Sequence, residues 1–354
     1  MQCPRPLPLD VESLNQRQVA GGGSEQESTT LPVIAGYPPC ARLNAVIEIQ
    51  RILCPIDFSD FSRRALDDAV AIANWYDSTV TVLHVYSAMP VGAGTPMPPS
   101  TVLTGADRDD LLASMKRFAE TDAASTVPVE FEIAEGNAAT EILAKADAMP
   151  TDLLVMGTHG RSGFERLVLG SITEKVLRRA TCPVLSVPRN VPDVLPAPPV
   201  VFKRILCAID FSDCSMHALT YAMSLAQEAD ATLTLVHAIE VPGELPAGEH
   251  ETGGPHTMSE YLAAAEQDRR ERLKEAVPES VRAYCTVETA VTTGKPYREI
   301  LRIAGERQSD LIVIGIHGRG AADLLFFGST AQHIVRRASC PVLTLRKGTA
   351  ALPS

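Results

Sequence analysis

Arg51-Ile-Leu-Cys-Pro-Ile-Asp-Phe-Ser-Asp60 returns almost unchanged as Arg204-Ile-Leu-Cys-Ala-Ile-Asp-Phe-Ser-Asp213, 153 positions later. Two further stretches are echoed at an offset of 158: Gly157-Thr-His-Gly-Arg161 as Gly315-Ile-His-Gly-Arg319, and Cys182-Pro-Val-Leu185 as Cys340-Pro-Val-Leu343. The chain therefore holds two copies of one unit, each too long for a solenoid repeat. His84 and His237 keep the first offset while Gly136 and Gly294 have the second, so five extra residues of the second copy fall between His237 and Gly294. Proline- and glycine-rich stretches occupy that interval in both copies, Met89–Gly105 and Val241–Pro255. Insertions collect in surface loops, and these stretches read as loops.

Around the repeated segments the hydrophobic pattern alternates between strand and helix. Arg51–Ile56 is a continuous apolar run suited to a strand buried on both faces. Ser59 or Ser62 can cap a helix reaching Asn74, with Ala65, Leu66, Ala69, Ile72 and Ala73 on one stripe. Strands are then expected at Thr79–Val85, Val127–Ile133, Asp152–Met156 and Val184–Val187, with helices at Leu111–Ala123, Ala139–Ala148 and Ile172–Arg179. The second copy repeats the order, with strands at Ile205–Ile209, Thr232–His237, Ala283–Val291, Asp310–Ile314 and Val342–Leu345. Its helices are expected at His217–Glu228, Ser259–Ala276, Tyr297–Glu306 and Thr330–Arg337. Strands separated by helical patterns imply right-handed crossovers and a parallel sheet, so the fold class is α/β, two tandem doubly wound domains of five parallel strands each. The expected divisions are a disordered extension over 1–46, a first domain over 47–189, a proline-rich linker over 190–200, a second domain over 201–347 and a tail over 348–354.

Composition narrows the function. The 354 residues carry 32 Lys and Arg against 43 Asp and Glu, a net charge of -11, whereas a phosphate-backbone binder needs a basic face. No apolar run approaches the roughly 20 residues of a membrane span, and no apolar signal segment follows Met1. A cytoplasmic protein without nucleic-acid or membrane partners is expected. The eight cysteines form no C-x-x-C pair, and Cys54 and Cys207 sit inside apolar runs as buried small hydrophobes.

The chemistry gathers where the fourth strand of each copy ends. Gly157 and Gly160 are followed, after nine residues, by Gly170-Ser171 at the start of a helix; Gly315 and Gly318 are followed at the same spacing by Gly328-Ser329. Glycine lets backbone approach a ligand closely, and a helix start offers unpaired N–H donors with about half a positive charge. Two glycine turns and a helix start make an anion cradle of polyphosphate size, to which Ser171 and Ser329 can add hydroxyls; Arg161 and Arg319 either add charge there or are solvated surface arginines. The competing reading is a pair of capping boxes, Ser171 with Glu174 and Ser329 with Gln332, kept by duplication for packing. Asp57 and Asp210 end the first strands on the same sheet edge, placed to accept from ribose hydroxyls or a base amine, or else to stand as first-turn helix residues favoured by the dipole. His84 and His237 read as core histidines within strands, and no carboxylate–serine spacing around His159 and His317 suggests a triad.

These residues resemble the universal stress protein family, here as a tandem pair over about four-fifths of the chain. The family's ATP-binding members carry Gly-x2-Gly-x9-Gly-Ser/Thr, which this sequence matches twice, with the strand-end Asp and the terminal Cys-Pro-Val-Leu strand also in place. The resemblance implies an adenine-nucleotide alpha-hydrolase-like fold and an ATP-binding sensor or regulator of the stress response; Mg²⁺ is expected to neutralise the triphosphate, and with no general base, metal-carboxylate cluster or water-positioning glutamine near the motif, no enzyme and no protein-held metal are expected. It implies that Pro55 and Asp57 line the adenosine, that the Val85 backbone meets the adenine edge and that Met156 packs near the sugar or base. Gly157, Gly160, Gly170, Ser171 and the Ile172 amide would hold phosphates. Ala208, Asp210, Ala238, Ile314, Gly315, Gly318, Gly328, Ser329 and Thr330 would serve the second copy, where Ala208 replaces the proline and Leu324 stands in place of Arg166. The family also pairs domains edge to edge through the last strand, so the two copies are expected to form an internal pseudo-dimer, with a homodimer or a regulatory protein as further partners. A slow ATPase or nucleotidyl transferase, and a nucleotide-free scaffold, are the alternatives on the same fold.

Overall fold

The computed structural model describes residues 47–86, 105–120, 126–158, 169–188, 202–240, 258–318 and 327–346. All of them belong to one compact unit, Arg42–Ser354. The extension 1–46, the linker 190–200, the tail 348–354 and most of the two proline- and glycine-rich loops lie outside the described residues, as do His159, Gly160, Arg161, Arg166, Arg319 and Leu324.

The first half runs β1 (Arg51–Ile56), α1 (Asp60–Tyr76), β2 (Thr79–Tyr86), α2 (Gly105–Ala119), β3 (Val129–Glu135), α3 (Ala138–Ala148), β4 (Leu153–Gly157), α4 (Ser171–Arg179) and β5 (Val184–Val187). The second runs β6 (Arg204–Ala208), α5 (Asp213–Glu228), β7 (Thr232–Ile239), α6 (Met258–Glu275), α7 (Glu279–Arg282), β8 (Val287–Thr293), α8 (Pro296–Glu306), β9 (Leu311–Gly315), α9 (Ser329–Arg337) and β10 (Val342–Leu345). Ser59 caps α1, its hydroxyl accepting from Ser62 N, and Ser212 caps α5 in the same way.

Several boundaries differ from the sequence reading. The α2 helix begins at Gly105, ahead of the expected start, and ends at Ala119; its opening, with Asp107-Arg108-Asp109-Asp110, is exposed and charged and has no apolar period to mark it. The strands expected at Val127–Ile133 and Ala283–Val291 are β3 and β8, displaced by two and four residues at their starts. Pro128 enters β3 only through its carbonyl, which accepts from Val80 N, and the single turn α7 with its exit takes up the chain ahead of β8.

All described strands join one sheet in the order β3-β2-β1-β4-β5-β10-β9-β6-β7-β8. Each half is parallel throughout, and the halves meet where β5 runs antiparallel to β10, with Leu185 opposite Leu343. This is the edge-to-edge pairing expected of the terminal strands, and it covers two apolar edges. Because that one pairing is antiparallel, the carboxyl ends of the two sets of strands lie at opposite edges of the sheet.

Two apolar layers sandwich the sheet and each runs through both halves. One packs Ile52, Cys54, Val155 and Leu185 with Ile205, Cys207, Val313 and Leu343 against α1, α2, α5 and α6. The other packs Leu53, Leu154 and Val184 with Leu206, Ile312 and Val342 against α3, α4, α8 and α9. Alternate residues of one strand thus feed opposite layers, which is why these strands read as unbroken apolar runs. Polar ties cross the junction on both faces. Tyr76 Oη and Ser224 Oγ are 2.8 Å apart, Trp75 meets Phe202 edge-on at 5.8 Å, and the Arg346 guanidinium donates to the carbonyls of Leu177 and Arg178 at the end of α4.

Candidate functional site

In each half the central strand lies between the two strands that the chain reaches in opposite directions. It leaves β1 through α1 in one layer towards β2, and leaves β4 through α4 in the other layer towards β5. The crevice at the carboxyl ends of β1 and β4 is therefore a topological switch point, where open α/β sheets take ligands. β6 and β9 form the same crevice in the second half.

The turn after β1 is built by Asp57-Phe58-Ser59. Asp57 Oδ1 accepts from Ser59 N at 3.1 Å and from Ser59 Oγ at 2.5 Å; Asp210 Oδ1 accepts from Ser212 N at 2.9 Å and Ser212 Oγ at 2.6 Å. The carboxylates thus stand before the helices, orienting the caps, and are not first-turn helix residues. Phe58 and Phe211 both sit at φ 62°, a left-handed conformation that costs a non-glycine residue about 1–2 kcal/mol. Packing offsets that cost: Phe58 lies 4.8 Å from the His84 ring and 5.4 Å from Phe118, and Phe211 lies 5.0 Å from His237 with the Arg272 guanidinium 4.1 Å over its ring. His84 Nδ1 meets Ile56 O at 2.9 Å and His237 Nδ1 meets Ile209 O at 2.7 Å, so both histidines brace the first-strand ends from inside the sheet. The Asp-Phe-Ser identity between copies was the available signal for this aiming device, which was not read from the sequence.

The helix starts differ from the capping-box reading. Gly170 and Gly328 are the N-caps, at φ -57°, and among the described residues neither helix start has a side-chain cap; Ser171 and Ser329 are already the first helical residues and are exposed. Gly170 N donates to Thr158 O at 2.9 Å and Gly328 N to Ile316 O at 2.8 Å, pinning each helix start to the end of the fourth strand of its half. In the first half Thr173 Oγ1 adds a bond to Gly157 O at 2.9 Å; the matching residue is Ala331. Thr173, 3% exposed, is a further support that the sequence reading missed.

The glycines divide by duty. A Cβ on Gly315 would lie 2.8–2.9 Å from Cys214 and Ser215 of α5, and one on Gly328 would lie 2.5 Å from Ile316 O. Both are required by packing. A Cβ on exposed Gly318 would instead meet Asp210 Oδ2 at 2.8 Å, so this glycine keeps a space open beside the carboxylate.

The second half brings most of its expected residues to one edge. Ala208 is the register partner of Ile314, with Asp210, Gly315, Gly318, Gly328, Ser329 and Thr330 around them, and Ser212 Oγ reaches His317 O at 3.4 Å. The first half places Pro55 and Asp57 at the end of β1, Met156 and Gly157 at the end of β4, and Gly170, Ser171 and Ile172 at the start of α4. Ile172 is 42% exposed, an unusual position for a large aliphatic side chain, and Thr330 occupies its place in the second half. Val85 and Ala238 lie on β2 and β7, paired with Ala134 and Thr292 on the far side from the fourth strands. Gly160, Arg161 and Arg319 lie outside the described residues.

Other features stand apart. Burial pushes the Cys54 and Cys207 thiols far above the ordinary range and those of Cys182 and Cys340 up to about 12, so these are inert hydrophobes. A shallow concavity among Asp230, Thr232, Arg282, Tyr284 and Cys285 lies at the amino ends of β7 and β8, the wrong edge for the crevice. Among the described residues no helix is long and apolar enough to cross a membrane, and no three His, Cys, Asp or Glu side chains form a metal-binding group.

Comparison with known proteins agrees with this architecture. The family model described as "Universal stress protein family" matches residues 48–188 and again 202–346. A universal stress protein of Methanocaldococcus jannaschii is 35% identical over 154 residues, covering 41% of this chain and 88% of its own length. One from Mycolicibacterium smegmatis is 26% identical over 310 residues, 83% of this chain and 96% of its own. The crystal structure of a universal stress protein from Archaeoglobus fulgidus superimposes with a TM-score of 0.60 at 20% identity, covering 85% of this chain and all of that one, a likeness of fold. With both halves matched and joined into one sheet, the chain belongs to the universal stress protein family as a tandem two-domain member.

Proposed function

We propose that each half binds one adenine nucleotide, ATP with Mg²⁺, and that the chain works in the cytoplasm as a nucleotide-dependent sensor or regulator of the stress response, not as a catalyst. One observation carries the proposal: in both halves a helix start capped by glycine, with no side chain among the described residues capping its amides, is pinned to the end of the fourth strand at the switch point, where the neighbouring first strand ends in an aspartate. Amides of that kind suit a polyphosphate. Asp210 Oδ2, facing the space kept by Gly318, suits a sugar hydroxyl or an exocyclic amine, and Asp57 has the corresponding role. Ala208 and Ile314, or Pro55 and Met156, would give the sugar and base an apolar floor, and Val85 and Ala238 would present backbone at the adenine edge. Gly160, Arg161 and Arg319 would complete the phosphate side. Mg²⁺ would ride on the phosphate oxygens and neutralise them.

Equilibrium dialysis with labelled ATP tests this. The expected result is saturable binding of two nucleotides per chain, recovered intact, and weakened in Asp57→Ala/Asp210→Ala. At 100 times its dissociation constant the ligand should stabilise a site by about 2.7 kcal/mol. Absence of saturable binding together with an unmoved melting transition would establish the scaffold. Multiple-turnover phosphate release that survives further purification and disappears in Asp57→Ala would establish the enzyme.

A further inference from the structure

The outer face of α8 and α9 carries a cluster with no counterpart in the first half. Tyr297 and His333 stack with ring centroids 4.3 Å apart at 26°. The Arg337 guanidinium carbon lies 5.6 Å from the Tyr297 centroid and that of Arg298 5.9 Å, with Arg298 Nε donating to Tyr297 Oη at 3.1 Å. Lys295 stands as the N-cap of α8. At the equivalent positions the first half has Asn137, Ala139 and Thr140, with Lys175 and Arg179 on α4.

What marks this cluster is its unbalanced charge. Other cations on the same two helices have carboxylates: Arg302 has Glu299 and Glu306, Arg307 has Glu288, and Arg336 has Glu174. Among the described residues Lys295, Arg298 and Arg337 have none, although the chain carries 43 acidic side chains against 32 Lys and Arg. Arg298 and Arg337 flank one phenol with Lys295 at the start of the same helix, and such cations without a counter-ion repel one another and gain from an anion brought between them. The Tyr297 phenol reports the same field, its pKa held below the ordinary value by the Arg298 hydrogen bond and then by Arg337 and Lys295.

We propose that this face, Lys295, Tyr297, Arg298, His333 and Arg337, docks a phosphorylated segment of a partner protein. A phosphomonoester brings close to two charges and three acceptor oxygens at neutral pH, the demand that two guanidinium forks, an ammonium and a phenol satisfy together. Nucleic acid fits less well. Its charges repeat about every 1.7 Å along a duplex, whereas this cluster is confined to neighbouring turns of two helices, and a net charge of -11 repels a long polyanion. None of its residues is among those assigned to the cradle, so the proposal is separate from nucleotide binding.

Fluorescence anisotropy on the full chain, with a labelled phosphoserine peptide and its unphosphorylated and glutamate forms, tests the proposal. The phosphopeptide should bind at least tenfold more tightly than the unphosphorylated one, with an advantage that shrinks as salt rises. Lys295→Asn/Tyr297→Ala/Arg298→Thr, which installs the residues of the first half, should lose that tenfold; because Tyr297 also packs against the core, Lys295→Asn/Arg298→Thr, with the ring kept, should lose most of it while melting as the wild type does. Lys175→Ala/Arg179→Ala should keep it, and saturating ATP should leave it unchanged. Equal binding of the phosphorylated and unphosphorylated peptides would overturn the proposal. So would displacement of the peptide by ATP, which would assign the anion preference to the cradle, or loss in the first-half variant to the same degree. A single-stranded oligonucleotide binding more tightly than the phosphopeptide would assign the face to nucleic acid.

Discussion

Replacing Ser171 and Ser329 together by aspartate should move stability and nucleotide affinity in opposite directions. Both serines are exposed first helical residues, and among the described residues neither helix has a side-chain cap. A carboxylate there complements the helix start and adds about 0.3–1 kcal/mol per helix. The gain should be larger in α9, whose first turn has no acidic residue, than in α4, which already has Glu174. For a bound triphosphate the same carboxylate is a like charge. Two unit charges 4 Å apart near a surface interact by about 4 kcal/mol, and with exposed positions screened by solvent about 1.5–2.5 kcal/mol should survive, a ten- to sixty-fold weakening at each site. Calorimetric titration of ATP and urea denaturation of the nucleotide-free chain measure the two effects. Ser171→Ala/Ser329→Ala separates charge from the loss of a hydroxyl and should weaken binding only a few-fold. An aspartate variant that binds ATP as the wild type does would remove the helix starts from the site. One less stable without nucleotide would show that their amides are not open.

Thr173→Val should lose about 1–2 kcal/mol of stability, because it removes the bond to Gly157 O and leaves that carbonyl short of a partner; denaturation should show the loss, and no loss would make the bond irrelevant. The first half expressed alone as residues 47–188 uncovers the β5 edge that otherwise pairs with β10, so sedimentation should find a dimer at micromolar concentration, and a stable monomer would contradict the edge argument. Asp68 is 5% exposed, its Oδ2 has no hydrogen-bond partner, and burial first, then the neighbouring Asp67, pushes its carboxyl up to about 8. The folded chain then holds a proton that the unfolded chain releases above about pH 4, so stability should fall between roughly pH 4 and 8 with a contribution of up to about 1.4 kcal/mol per pH unit. Asp68→Asn should flatten that slope and be the more stable form at pH 8; parallel pH profiles for the two proteins would refute the assignment.

Most of the scaffold was legible because duplication and burial both write plainly in residue order. Arg51–Ile56 and Arg204–Ala208 read as doubly buried strands because successive side chains enter different apolar layers, and the terminal Val-Leu strands showed the edge that needed covering. The start of α2 was hidden because an exposed charged turn has no apolar period, and Ser171-Ile-Thr-Glu174 mimicked a capping box although Gly170 performs the capping. The left-handed Phe58 and Phe211 could not be foreseen, since only rings from other elements make that backbone tolerable. A reading guided by repetition also favours what the halves share. Tyr297, Arg298 and Lys295 stand where the first half has small or neutral residues, so comparison of the copies passes over them.

The single antiparallel seam between β5 and β10 has a consequence for any molecule that consults this chain. The two crevices open at opposite edges of the sheet, at the two ends of its strands. A small partner can therefore inspect one crevice and remain blind to its twin, and only something that wraps around the rim, or two copies of it, can compare them. Yet each apolar layer runs through both halves, so the two crevices share one core.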